Sequence, residues 1–142
     1  MKKIYSAFLL TLFVAVSQMA SGMSILLVND NGYAPDRVQV IEKAIKDAGY
    51  TYTLYDAPAQ GKAPSYDFMK SFDLVIWYTG NDGAGLYFWN GNDTDNEAIK
   101  SYIDNGGMFW LQGLDFLYDR YKHTDTTFQK GEMVRDLSLI HI

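Results

Sequence analysis

The stretch Leu74-Val75-Ile76-Trp77-Tyr78 is an unbroken apolar run, bracketed by Asp73 and by Thr79-Gly80-Asn81-Asp82-Gly83. It is too short for a buried helix and rich in β-branched and aromatic side chains. It reads as a strand shielded on both faces, as in a parallel sheet. The turn residues after it fall at the strand's carboxyl end, where open α/β sheets hold their ligands. Two further runs repeat the pattern. Ser24–Val28 leads into Asn29-Asp30-Asn31-Gly32, and Met108–Leu111 leads into Gln112-Gly113-Leu114-Asp115.

The intervening segments supply helices and one more strand. Val38, Ile41, Ile45 and Ala48 fall at helical spacing, with Pro35 suited to the first turn and Gly49 to the stop. Tyr50–Tyr55, richer in Thr and Tyr, reads as a strand nearer an edge. Asp56–Pro64 reads as a loop and Ser65–Ser71 as a short helix. Gly83–Asn92 is an aromatic, glycine-containing loop, after which Thr94 and Glu97 have the spacing of a capping box for a helix ending near Asp104. Phe116–Tyr121 reads as helical, and no element is evident from Lys122 onward. Alternating strands and helices predict an α/β flavodoxin-like three-layer sandwich with a parallel sheet of order 2-1-3-4. A fifth strand would ordinarily complete such a sheet, so the domain is expected to be C-terminally truncated.

Both ends carry non-domain signatures. Lys2 and Lys3 precede the apolar stretch Ile4–Val16, and Ala20-Ser21-Gly22 offers small residues for cleavage. Residues 1–22 therefore read as a signal peptide and the product as exported, periplasmic or extracellular, with no membrane attachment after cleavage. The expected domain spans 23–136. The last six residues, Leu137-Ser138-Leu139-Ile140-His141-Ile142, match a translated sequencing-adapter end and are read as an adapter-derived tail. Without its leader the chain has 10 basic and 17 acidic side chains, which argues against nucleic-acid partners. The lack of cysteine excludes disulfides, thiol nucleophiles and thiolate metal sites.

Three stretches, Ile25–Asp30, Tyr66–Asp82 and Ile99–Asp115, resemble the class I glutamine amidotransferase-like fold. The likeness is closest to its trehalose-utilisation (ThuA-like) branch and to related domains of large exported bacterial proteins. It rests on the helix end, Gly106-Gly107, strand and tight turn of Tyr102–Gly113, and extends over about residues 24–121. The resemblance implies a nucleophile elbow after the fourth strand. Here that stretch is Trp110-Leu111-Gln112-Gly113-Leu114, with Gln112 in place of the cysteine or of the ThuA-like histidine. An amide neither titrates near neutrality nor acts as an activated nucleophile. His123 is the single histidine before the tail.

The candidate ligand-binding residues are those of the three turns: Asn29, Asp30, Asn81, Asp82, Gln112 and Asp115. Asp30, Asp82 and Asp115 are also a candidate metal set, since hard cations such as Ca2+ or Mg2+ take oxygen ligands. Equally, Asn, Asp and Gly are what such turns need. Asn90, Asn92, Asp93 and Asp95 form a second polar cluster, without EF-hand spacing. Tyr87, Phe88 and Trp89 either stack on a sugar or cover the sheet end. The expected function is a non-catalytic amidotransferase-like module of a larger exported protein, serving ligand binding or interdomain packing. Its partners are then other domains of that protein, with a carbohydrate as a possible ligand. The alternatives are a ThuA-like enzyme acting on a carbohydrate derivative and a metal-assisted hydrolase.

Overall fold

The computed structural model describes residues 22–32, 37–81, 83–91, 94–114, 116–122 and 124–139. Four strands, β1 (Ile25–Asn29), β2 (Tyr52–Asp56), β3 (Leu74–Gly80) and β4 (Met108–Gly113), form one sheet in the order β2-β1-β3-β4. All three pairings are parallel, as the apolar runs predict. The reach of each strand follows its composition. Every residue of β1 is buried, and β3 is buried from Val75 to Gly80. At the two edges β2 and β4 are partly exposed, β4 in strict alternation.

Helices flank both faces of this flavodoxin-like sheet. On one face lies α1 (Val38–Asp47), whose Val38, Ile41 and Ile45 pack with Ile25, Leu27, Ile76 and Tyr78. It ends where Gly49 takes φ 84°, and the Tyr50 N–H closes onto the Ile45 carbonyl at 3.1 Å. On the other face α2 (Ala57–Gln60), α3 (Tyr66–Met69) and α4 (Glu97–Asp104) contribute Ala57, Met69, Ile99 and Tyr102. These residues meet Leu26, Val28, Val75 and the fully buried Trp77. Two short helices follow, α5 (Tyr118–Tyr121) and α6 (Met133–Leu139), and Met133 of α6 joins the same core.

Several boundaries differ from the sequence reading. The stretch read as a loop after β2 contains α2, because the Asp56 side chain accepts from the Ala59 N–H at 3.0 Å and so caps a turn. The helix α4 starts two residues later than the Thr94–Glu97 pattern suggests. Its cap is Asn96, whose Oδ1 accepts from the Ala98 and Ile99 N–H groups at 3.0 and 3.4 Å. Thr94 instead donates its hydroxyl to the Asn90 carbonyl at 2.7 Å. Beyond Lys122, where the sequence shows no element, α6 forms, and its backbone continues through residues 137–139 of the presumed tail. Pro35 lies outside the described residues, and Arg37 is the N-cap of α1. Residues 1–21 of the expected leader also lie outside them.

The pairing of β3 with β4 shifts between Tyr78 and Gly80, so Gly113 lies opposite Gly80. Gly113 has φ 154°, and a Cβ there would stand 1.9 Å from the Thr79 Oγ1 and 3.0 Å from the Gly80 carbonyl oxygen. We expect Gly113→Ala to destabilise the fold by about 1–3 kcal/mol, the usual cost of overpacking a filled site. Urea unfolding followed by circular dichroism checks this, with an unchanged midpoint showing that the strand junction relaxes freely.

Candidate functional site

At the carboxyl edge, Asp56, Asn29, Tyr78 and Gln112 stand in one transverse row across all four strands. Side chains alternate along a strand, so residues two apart share a face. Leu26, Val28 and Asp30 therefore look toward Trp77, while Asn29 looks toward Tyr78 on the α1 side. This parity divides the expected cluster between the two faces of the sheet.

Asp30 has almost no exposure, at 1%. Its Oδ2 accepts from the Trp77 Nε1–H at 2.8 Å and the Phe88 N–H at 2.7 Å, and its Oδ1 accepts from the Tyr87 N–H at 2.9 Å. A second carboxylate, Asp119 of α5, is 2% exposed and accepts from the Gly85 and Leu86 N–H groups at 2.9 and 2.8 Å. Between them the two side chains bond four consecutive backbone N–H groups, from Gly85 to Phe88. The aromatic segment is thereby fastened over the end of the sheet. Phe88 and Trp89 are buried at 1% and 2% exposure. The Phe88 ring lies 4.7 Å from Trp89 and 5.8 Å from both Trp77 and Phe116, centroid to centroid. Of the three aromatic residues, Phe88 and Trp89 cover the sheet end, and Tyr87 stays half-buried.

The Asp30 carboxyl is pushed up to about 6 by burial, against the opposing pull of the Tyr87, Trp77 and Phe88 donors; the nearby Asp119 charge adds to the rise. Between about pH 4 and 6 the folded chain thus holds a proton on Asp30 that the unfolded chain releases. The resulting stability is fully present below about pH 4 and is lost as pH rises through about 6. The exposed Asp73, which the Ser24 hydroxyl and N–H hold below the usual carboxylate range, titrates outside this window. Lowering the pH from 7.5 to 5 should therefore raise the Asp30 contribution by about 1 kcal/mol, one pKa unit of the shift. Urea midpoints across that range should show the rise in the parent and a flatter profile in Asp30→Asn; equal profiles would count against it.

The remaining described candidates fall on the α1 face. Asn81 and Gln112 are exposed and border a cleft of about 370 Å3, together with Arg37, Val40, Tyr78, Gly80 and Leu114. Gly80 has φ 74°, and a Cβ there would lie 2.6 Å from the Asn31 side chain, so the β1 exit loop rests directly on its Cα. Asn29 is buried beside this cleft, and its Oδ1 accepts from the Asn31 N–H at 3.3 Å. Asp82, Asp115 and His123 lie outside the described residues. Among the described residues no group of three acidic, histidine or cysteine side chains is placed to hold a metal ion. Among the described residues the cleft lining offers two amides, a guanidinium and the Tyr78 side chain, which can bind polar or anionic groups, and holds no carboxylate, histidine or cysteine.

From the second polar cluster Asp95 is tied into the fold. It pairs with Arg120, and its Oδ2 accepts from the Met133 N–H at 2.7 Å. Arg120 also reaches Glu132 at 3.6 Å and sits 5.2 and 5.0 Å from the Trp89 and Tyr121 ring centroids. Asn92 and Asp93 lie outside the described residues. Sequence reasoning missed Asp119, Arg120 and Arg37. For Asp119 the available signal was a lone acid within the aromatic run Phe116–Tyr121. Arg120→Met, which leaves Asp95 buried without its counter-charge, should cost about 3 kcal/mol. Loss of the exposed Lys43–Asp47 pair should cost less than about 1 kcal/mol. Thermal melts of the two variants side by side measure the contrast, and similar losses would show that Arg120 is not a structural anchor.

Along the flank of α1 the cleft opens into an apolar groove of about 410 Å3. Its walls are Val40 and Ala44 of α1 with the adjoining Ala48 on one side and Trp110 of β4 on the other, over a floor of Leu74 and Ile76. Val40 is 68% exposed and Trp110 54% exposed. Glu42 and Lys46, by contrast, face β2, where Glu42 accepts from the Tyr52 hydroxyl at 2.7 Å and Lys46 lies over the Tyr52 ring. One flank of α1 is therefore satisfied and the other is open.

Comparison with family models, with curated proteins and with solved structures finds no match to this chain. No helix among the described residues is long and apolar enough to cross a membrane.

Proposed function

We propose that this chain is a non-catalytic, amidotransferase-like module of a larger exported protein, and that another domain of that protein packs on its open α1–β4 face. The observation that carries this reading is the uncovered groove, whose lining holds no charged side chain. A soluble domain rarely leaves a large indole, Val40, Met108 and Leu114 exposed on one side unless something covers them. The lack of chemistry at the elbow position supports the same reading. Gln112 is exposed on β4, and the neighbouring cleft presents amides and Arg37 rather than an acid–base pair.

The cleft favours one second reading, in which the module binds a small polar ligand such as a carbohydrate derivative. Arg37, Asn81 and Gln112 would supply the hydrogen bonds and Leu114 the apolar contact. The Asp30 oxygens already hold protein donors, so a cation at this edge would have to rely on other ligands. A ThuA-like or metal-assisted hydrolysis would need its acid or base from residues beyond the cleft lining.

The packing reading is tested with the one open tryptophan. Of three tryptophans, Trp77 and Trp89 are buried and Trp110 is exposed. In this chain alone, acrylamide should quench the Trp110 emission strongly, and Trp110→Phe should remove that quenchable fraction. In the full-length exported protein the same fraction should become protected. Equal quenching of Trp110 in the isolated chain and in the full-length protein would overturn the reading.

A further inference from the structure

We draw no further inference here: the strongest candidate, the apolar groove between α1 and the exposed face of β4, already carries the proposed function, and nothing in the structure shows which segment covers it.

Discussion

The Asp30 carboxylate, sealed beneath the aromatic segment, is the contact on which the carboxyl end of this fold depends. It leaves β1 one residue beyond the last paired position and still receives three hydrogen bonds, two of them from the backbone of a segment 57 and 58 residues away in sequence. Burying a carboxylate is unfavourable unless its oxygens are well supplied with donors. Trp77 provides one of them from inside the sheet, so the same indole that fills the core also orients the acid. Asp119 repeats the device from the other side. With both in place, the segment from Gly85 to Phe88 is held as a lid over the sheet end.

That arrangement accounts for the unequal character of the two sheet faces. On the Trp77 face, Phe88, Trp89, Phe116 and Tyr121 form a continuous aromatic layer, and Arg120 with Asp95 closes its outer rim. The face is covered, although the Tyr121 hydroxyl is buried in it without a hydrogen-bond partner among the described residues. On the α1 face, among the described residues, a single helix spans a sheet of four strands, and it leans toward β2. The core there is small, and its apolar surface runs out from under the helix without a boundary. The sheet is thus covered on one side and partly open on the other.

The architecture was legible because each strand is a compact apolar run followed by turn residues, a pattern with few other solutions. The order of strands followed from short crossovers, and the exposed character of β2 from its Thr and Tyr content. The site was less legible, and the reason is parity. Asp30 shares a face with Leu26 and Val28, whereas Gln112 shares one with Trp110 and lies opposite Tyr78. Grouping turn residues by their position at the strand ends overlooks this alternation, although the alternation itself is written in the sequence. The cap of α4 escaped for a different reason. Asn96 is fixed partly by donating its amide to the Tyr87 carbonyl at 3.2 Å, a contact with the lid that no local spacing can announce. The anchoring role of Asp119 likewise exists only once the lid is folded.

The outer position of β4 has a consequence of its own. Met108-Phe109-Trp110-Leu111-Gln112-Gly113 carries no charge and no proline, the features by which natural edge strands discourage pairing with another chain. Its outward backbone groups present a ready template to any extended segment of similar composition. Such a strand is a seed for edge-to-edge polymerisation. On the proposed packing, a segment lying beside β4 would also guard against aggregation by keeping that strand out of reach.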